Sequence, residues 1–438
     1  MKFKIVFLLS FCLSAMLAIG KVQAQEILTL QDAIRIALER NYEIRISSNN
    51  LEIDKNNVNR ANAGMLPAVT GNFTNSNTLQ NSRQERADGQ VTERNGARGS
   101  NLNYGVSLNW TIFDGFGMFA RYDQLQELQK LGEANLQLTI LNRVSDVIGF
   151  YFALVQQQQQ VKANLAAIEI SRFRVQTAQN RFEIGKAARL EVLNAQVDLN
   201  TDTTNLLRQQ ELYQNTRVQL NELLARDVLT PYSVVDTMVT DGQLVLDQLA
   251  EKALQLNPTL QAAVISKRIA QLELKNVKGS RLPRIGVTTG YNFNESQSAL
   301  GFATHTSGRG LNYGLTASIN IFNGFLQRRN ERNATVLISN AELEHDRVVQ
   351  NVKAQLATAY QTYQTNLSLV KLEEKNLALA KRNLDITLDK FRLGSIAPIA
   401  FREAQLNYLN SRIRSSTAQY QAKVAEIALK EIAGNVSL

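Results

Sequence analysis

Residues 103–116 read NYGVSLNWTIFDGF, and residues 312–325 read NYGLTASINIFNGF. Seven of the fourteen aligned positions are identical, and the two segments start 209 residues apart (312 minus 103). Self-similarity at a fixed spacing shows how a chain is organised before any single motif does. The quoted segments therefore indicate an internal repeat, in which one structural unit occurs twice in the chain.

The same spacing relates other parts of the two halves. It pairs Tyr151 with Tyr360, Phe182 with Phe391, and Gly185 with Gly394. We predict two repeats, residues 25–240 and 241–438, each built as a helix, a β-hairpin and two long helices. The first helix is expected to start at Thr29, with a cap that uses Asp32, and to end near Ala63.

Apolar residues occupy every second position in and around the quoted segments. Such alternation predicts strands with one apolar and one polar face. A run of about ten residues exceeds an average soluble strand and suits a tilted membrane-spanning strand. An edge hairpin on a soluble core is the alternative. In the membrane interpretation, the polar connections Asn81–Gly99 and Glu295–Gly310 are external loops. The side chains expected to face lipid are Trp110, Leu108, Ile319 and Leu315.

Four such strands cannot close a barrel, because the smallest known membrane barrels have eight. An open sheet edge in lipid would leave backbone groups without hydrogen bonds. Strands must therefore be pooled between chains. Two chains would give eight strands and three would give twelve.

Two helical patterns of about 65 residues follow the strands, from Met118 to Ile184 and from Leu326 to Leu393. At 1.5 Å per residue each would reach about 100 Å. Their apolar residues recur every seven positions in two rows on opposite flanks. In the second copy the rows are Val370, Leu377, Leu384 and Phe391, and Leu372, Leu379, Ile386 and Leu393. Two seams predict a neighbour on each side, as in a tube wall. A solid helical bundle is the alternative.

The N-terminus carries an export signal. Lys2 and Lys4 precede a short apolar run, and Val22-Gln23-Ala24 resembles a cleavage site, so residues 1–24 are predicted to be a signal peptide. Cys12, the only cysteine, lies within it, which excludes disulfides from the mature chain. We expect no later segment that is apolar enough to be a membrane helix.

The rest of the composition argues against an enzyme and against a nucleic-acid-binding protein. The net charge is +9, but Lys and Arg are scattered among acids, whereas a nucleic-acid footprint would be clustered. The two histidines, His305 and His345, have no metal-binding spacing, and no nucleophile motif occurs. We predict no catalytic residues, no metal site and no cofactor, and we expect most of the carboxylates on the long helices to be solvated.

The chain resembles the TolC-like outer-membrane factors over its whole mature length. The resemblance is carried by Ala37-Leu38-x-x-Asn41 and its echo Ala253-Leu254-x-x-Asn257, and by the segments around Gly185 and Gly394. It implies an α+β membrane protein. Such a protein is a homotrimer whose twelve-stranded transmembrane β-barrel, four strands per chain, continues as a periplasmic α-helical barrel. It also implies a periplasmic adaptor protein and an inner-membrane pump of RND or ABC type as partners.

The resemblance further implies site residues. The turns at Gly185 and Gly394, with Phe182 and Phe391, are expected to dock the adaptor. The pore constriction is expected at Glu403 and Glu191. Ala400 stands where related channels have a first acidic residue, which puts a double acidic ring in doubt.

Two classes of function remain at the level of sequence. One is a passive export duct in the outer membrane, extending into the periplasm, in an efflux or type I secretion system. The other is a periplasmic coiled-coil structural protein without a pore.

Overall fold

The computed structural model describes residues 26–299 and 303–435. The predicted signal peptide, residues 1–24, lies outside the described residues. The elements in chain order are β1 (Glu26–Leu28), α1 (Leu30–Arg40), α2 (Tyr42–Asn57), β2 (Ala68–Glu85), β3 (Val91–Asp114), α3 (Gly117–Glu183), α4 (Arg189–Leu223), β4 (Tyr232–Val234), α5 (Leu246–Leu256), α6 (Pro258–Gly279), β5 (Arg284–Ser298), β6 (His305–Ser318), α7 (Leu326–Arg392) and α8 (Pro398–Ile432). The two predicted long helices, α3 and α7, are confirmed, and each has 67 residues.

The chain forms two compact units. The helical unit contains the described residues up to Ile46, Thr139–Asn257 and the residues from Val352 onward. The sheet unit contains Ser47–Leu138 and Pro258–Asn351. Each unit takes segments from both halves of the sequence, so the predicted repeats are not themselves the compact bodies.

The sheet unit holds a four-stranded antiparallel sheet in the order β2-β3-β5-β6. Paired residues lie side by side on one face of a sheet, so the pairing defines rows that cross all four strands. One such row is Phe73, Tyr104, Phe293 and Arg309. Within it, the rings of Tyr104 and Phe293 stack with their centroids 4.8 Å apart.

The strands are longer than the sequence predicted. β2 runs to Glu85 and β3 starts at Val91, so the predicted loop Asn81–Gly99 is mostly strand. β5 and β6 likewise take up most of Glu295–Gly310, of which residues 300–302 lie outside the described part. Backbone hydrogen bonds pair these polar residues, and side-chain alternation gives no sign of that pairing.

The first helix begins as predicted but ends early. The Thr29 hydroxyl accepts a hydrogen bond from the Asp32 backbone N–H at 3.1 Å. The helix then breaks at Asn41 rather than near Ala63, because the Asn41 side chain caps a second helix. Its Oδ1 accepts the Glu43 N–H at 2.9 Å, while its Nδ2 donates to the Leu223 carbonyl at 2.8 Å.

In the helical unit, α3 packs against α4 and α8, and α8 also packs against α7. Each neighbouring pair shares a small apolar cluster: Ala178, Val192 and Ala195 between α3 and α4; Ala163, Ala167 and Leu409 between α3 and α8; and Leu384, Phe391 and Phe401 between α7 and α8. The largest cluster packs α1, β1 and β4 onto one face of α3. We call this set of packed residues the α3 core.

One helix among the described residues, α3, is long and apolar enough to cross a membrane by length and composition. This is an exception to the expectation that no such segment follows residue 24. Core helices pass the same test, and 44% of the apolar stretch in α3 is buried inside the chain.

Candidate functional site

The sheet has one apolar and one polar face. Trp110, Val287 and Leu315 form one row, and Leu108, Thr289 and Tyr313 form the next. The three predicted lipid-facing residues in strands, Leu108, Trp110 and Leu315, therefore share a face. Ile319 does not belong to it as a strand residue, because β6 ends at Ser318.

The apolar face is exposed within one chain. Relative exposure is 71% at Leu315, 54% at Val106 and 71% at Phe73. The band from Ile285 to Phe293 on β5 spans about 26 Å at roughly 3.3 Å per residue, close to the apolar height of a membrane barrel. The indole N–H of Trp110 is hydrogen-bonded on this face, because Nε1–H donates to the Met65 carbonyl at 2.9 Å.

The opposite face is lined by hydroxyl and amide groups. Thr70 and Ser107 lie 2.9 Å apart between their oxygens, and the Asn72 amide donates to Ser107 at 3.2 Å. The Asn292 amide likewise donates to Asn312 at 3.1 Å. This face can line a water-filled space.

Both edges of the sheet are open. β2 and β6 are the outer strands, and no other described strand pairs with their free sides. Every residue of β6 is exposed, as are all but one of β2. Unpaired edges of this length are templates for pairing with another chain.

Two helices of the helical unit, α4 and α7, carry exposed apolar rows. On α7, the row predicted to meet a neighbour is exposed, and we call it the α7 stripe: Leu372 at 52%, Leu379 at 68%, Ile386 at 48% and Leu393 at 83%. The other row of α7 ends in Leu384 and Phe391, which are buried against α8. On α4, the exposed α4 stripe contains Leu190, Leu193, Val197 and Leu207.

The two turns between long helices have the same geometry. Gly185 and Gly394 have φ values of +72° and +74°. Each turn closes with a pair of backbone hydrogen bonds typical of a glycine C-cap, such as Gly394 N–H to Phe391 carbonyl at 2.9 Å and Ser395 N–H to Lys390 carbonyl at 2.9 Å. The predicted docking residues differ in exposure: Phe182 is 38% exposed, whereas Phe391 is buried and stacks on Phe401.

The two predicted constriction residues have different surroundings. The Glu191 carboxylate lies 3.5 Å from the Arg181 guanidinium, and its side chain is 22% exposed. Glu403 is exposed at the surface and forms no ion pair among the described residues. Only Glu403 presents an uncompensated charge.

Sequence reasoning missed a buried ionic cluster formed by Arg174, Asp198, Asp202 and Arg402. Arg402 donates two hydrogen bonds to the Asp202 carboxylate, at 2.8 and 2.9 Å, and Arg174 pairs with Asp198 at 2.9 Å. The Asp202 side chain is 2% exposed, so it is an exception to the expectation that most helical carboxylates are solvated. Because Asp202 and Arg402 are 200 residues apart, no local spacing reveals the pair.

Burial lowers the pKa of the Arg174 guanidinium, and the ion pair with Asp198 opposes this shift. Four charges thus hold α3, α4 and α8 together beside the turns. Among the described residues no group of His, Cys, Asp and Glu is arranged to hold a metal ion.

Comparison with known proteins gives concordant matches. A family model described as "Outer membrane efflux protein" matches residues 33–226 and 249–435. The chain is 22% identical over 417 residues to the outer membrane efflux protein BepC of Brucella suis biovar 1 (strain 1330), covering 93% of this chain and 86% of that protein. It is 21% identical over 440 residues to the outer membrane protein TolC of Escherichia coli (strain K12), covering 95% and 83%.

The fold is also similar to a solved channel. The CmeC outer membrane channel of Campylobacter jejuni matches with a TM-score of 0.78 at 16% identity, covering 92% of this chain and 85% of that one.

Proposed function

The chain belongs to the outer membrane efflux protein family, and from this premise we propose that three copies form one continuous export duct. The family consists of outer membrane channel proteins rather than enzymes. The chain is accordingly an outer-membrane efflux channel subunit, and the coiled-coil alternative without a pore is not favoured.

The observation that carries the proposed architecture is the pair of open edges on one amphipathic sheet. An edge strand in lipid must find a partner for its backbone groups. β2 of one copy can pair with β6 of the next, and a head-to-tail contact of this kind closes into a ring when the rotation allows it. Three copies of four strands give a twelve-stranded transmembrane β-barrel.

The helical unit supports the same arrangement independently. The α4 stripe and the α7 stripe are both exposed in one chain. Burying one against the other between copies would remove both exposed apolar rows from water. The product is an α-helical barrel in the periplasm.

We also propose the partners of this duct. The paired turns at Gly185 and Gly394 are exposed and alike in backbone geometry, which suits repeated contacts around a ring. The proposed partner there is a periplasmic adaptor protein, which would couple the duct to an inner-membrane pump of RND or ABC type. The duct itself has no energy source and would conduct passively.

The test is a direct measurement of mass and conductance. Purified protein in detergent should have the mass of a trimer by light scattering and should conduct ions in a planar bilayer. A monomeric protein that never conducts would contradict the duct. A trimer that never conducts would favour the structural coiled-coil function.

A further inference from the structure

Positive charge collects at one place in the sheet unit, where α6 ends and α7 begins. Residues 276–283 and 322–333 together contain five basic residues and one acidic residue, Glu331. We call the basic set, all of it exposed, the junction patch: Lys278, Arg281, Arg328, Arg329 and Arg332. The two helices are in contact here, because the Gln327 amide on α7 donates to the Val277 carbonyl on α6 at 2.7 Å.

Only one of the five basic residues is neutralised within the chain. Arg281 donates two hydrogen bonds to the Glu331 carboxylate, at 2.5 and 2.7 Å, and they lower the pKa of Glu331 to about 2. Lys278 lies near enough to add to that lowering of the pKa. The other four residues of the patch form no ion pair among the described residues, so the patch has a net positive charge.

The internal repeat shows that the fold of this junction does not depend on these charges. An offset of 209 residues relates α7 to α3, and an offset of 216 (282 minus 66) relates the end of α6 to the segment after α2. The equivalents of the five patch residues in the first copy are Asn62, Met65, Phe119, Ala120 and Asp123. None of them is basic and one is acidic. The same strand-to-helix junction is therefore built once with the basic residues and once without them.

The apolar face of the sheet continues into both junctions. In the first copy, Phe113 lies in the row of Ile285 on that face, and the ring of Phe116 packs edge-on against it with the centroids 5.1 Å apart. In the second copy, Phe322 and Phe325 pack in the same way at 5.4 Å and are 74% and 69% exposed. Exposed aromatic rings at the end of an apolar band are typical of the headgroup level of a membrane barrel.

The arginines of α7 follow Phe325 along the surface of the helix. Arg328, Arg329 and Arg332 come three, four and seven residues after Phe325, which places them on one face of the helix. Gln327, which binds α6, lies on the opposite side. Positive charge thus begins one helical turn beyond the aromatic rings.

Arg328 stays accessible when a neighbouring copy is added beside α7. Its equivalent in the first copy is Phe119 on α3, a helix that has neighbours on two sides within the chain. Arg121 on α3 donates to the Ala63 carbonyl at 3.2 Å and to the Asn276 side chain of α6 at 3.3 Å. Phe119 is nevertheless 50% exposed. The repeat therefore predicts that Arg328 remains exposed in an assembly.

We propose that the junction patch binds the phosphate of an anionic phospholipid in the periplasmic leaflet of the outer membrane. The acyl chains would lie on the apolar face of the sheet, and the phosphate would accept hydrogen bonds from the arginines beyond Phe325. Guanidinium groups suit this contact because their paired N–H groups match phosphate oxygens. Basic residues beside a membrane surface attract anionic lipids in the same way. The inference rests on the proposed duct, whose barrel puts this face of the sheet against lipid.

The test counts the lipids bound to the purified trimer in detergent by native mass spectrometry. Anionic phosphatidylglycerol is compared with phosphatidylcholine of the same acyl chains, which carries no net charge. Phosphatidylglycerol should bind at least about fivefold more tightly, and added salt should reduce this preference. Arg328→Gln should weaken phosphatidylglycerol binding by about fivefold. The triple variant Arg328→Gln/Arg329→Gln/Arg332→Gln should remove the preference and keep the trimer, because all three side chains are exposed.

The matched control is Lys371→Gln/Lys375→Gln/Arg382→Gln, which removes three exposed positive charges from a distant part of α7 and should keep the preference. Equal binding of both lipids by the unaltered protein, or an equal loss in the control, would overturn the proposal. Inorganic phosphate should compete no better than chloride at the same ionic strength, because it cannot use the apolar face. Stronger competition by phosphate would assign the patch to a free anion instead of a lipid.

Bilayer recordings separate failure of this inference from failure of the duct. A trimer that conducts but has no preference for the anionic lipid would refute the role of the junction patch alone. A protein that neither forms trimers nor conducts would refute the duct on which the inference rests.

Discussion

At the scale of single residues, the ion pair between Arg402 and Asp202 has the clearest energetic consequence. Both side chains are under 10% exposed, and removing one partner would leave the other charge buried without compensation. We expect Asp202→Leu and Arg402→Met each to cost about 3–5 kcal/mol in the free energy of unfolding. The double variant Asp202→Leu/Arg402→Met should cost clearly less than the sum.

A double-mutant cycle measured by denaturant unfolding checks this prediction. The exposed ion pair of Arg347 with Glu344 is the control, and its removal should leave the unfolding free energy nearly unchanged. Additive effects at Arg402 and Asp202 would show that the two side chains do not depend on each other.

The turn glycines give a second prediction at this scale. Their φ values of +72° and +74° make any side chain costly, by about 1–2 kcal/mol at each position. Since no atom lies within 4 Å of an added Cβ, Gly185→Val/Gly394→Val should keep the fold and the trimer. The changed turns should abolish adaptor docking and hence export, measured as cellular sensitivity to exported compounds. Lys375→Val on the exposed surface of α7 is the control, and normal export by the glycine variant would refute docking at the turns.

Residues that act through local geometry were predictable, and those that act through distant partners were not. Thr29 was identified as a helix cap because the cap and its Asp32 partner are three residues apart. Asn41 carries a motif in the sequence, but its hydrogen bond to the Leu223 carbonyl, which anchors the break in the helix, spans 182 residues. The pair of Asp202 and Arg402 was missed for the same reason, because its members are 200 residues apart.

At the scale of secondary structure elements, the apolar face of the sheet predicts unequal tolerance of charge. Leu108→Arg should reduce the stability of the protein in lipid by about 2–4 kcal/mol, as lipid-facing cations do near the bilayer midplane. Asn109→Arg, the next residue along β3, points to the polar face and should be tolerated. Unfolding from lipid vesicles by guanidinium chloride measures both, and equal costs would contradict a membrane barrel.

The α7 stripe predicts where copies of the chain meet. Leu379→Glu would put a charge into the proposed interface and should convert the trimer to monomers, because burying an unpaired carboxylate costs several kcal/mol. Ala378→Glu introduces the same charge on the exposed surface of α7, outside both apolar rows, and should leave the trimer intact. Analytical ultracentrifugation distinguishes the two, and a trimeric Leu379→Glu protein would show that the stripe is not an interface.

Elements with a periodic apolar pattern were predictable from the sequence, including both 67-residue helices to within one residue. The outer parts of β2 and β3 were missed because their side chains are polar on both faces. Glu85 pairs with Val91 and Gln84 with Thr92 through backbone groups that every residue carries. Apolar and polar side chains alternate only where one face of a strand is buried. A strand with both faces in solvent has no such pattern and cannot be predicted from it.

At the scale of the whole molecule, a single chain leaves surfaces exposed that a second copy of the chain could cover. Its sheet has two open edges, and its helical unit has two exposed apolar stripes. In the proposed duct, the neighbouring copies pair with the edges and bury the stripes. The number of copies does not follow from these edges alone, because two, three or more could close a ring. Three is the number in the proposed duct, and the measured mass of the assembly is the check.

The final prediction concerns the charge at the narrow end of the proposed duct. Glu191 is compensated by Arg181 at 3.5 Å, and Ala400 supplies no charge, so of the two predicted constriction residues only Glu403 is exposed and forms no ion pair among the described residues. Repeated around a three-fold axis, its carboxylates would attract cations and repel anions. We therefore expect Glu403→Gln channels to lose most of their cation preference, read as a shift of the reversal potential in a salt gradient. Glu191→Gln removes the same charge from a paired site and should shift it little. A reversal potential unchanged by Glu403→Gln would remove Glu403 from the constriction, and an equal shift in both variants would show that the Arg181 pair does not screen Glu191.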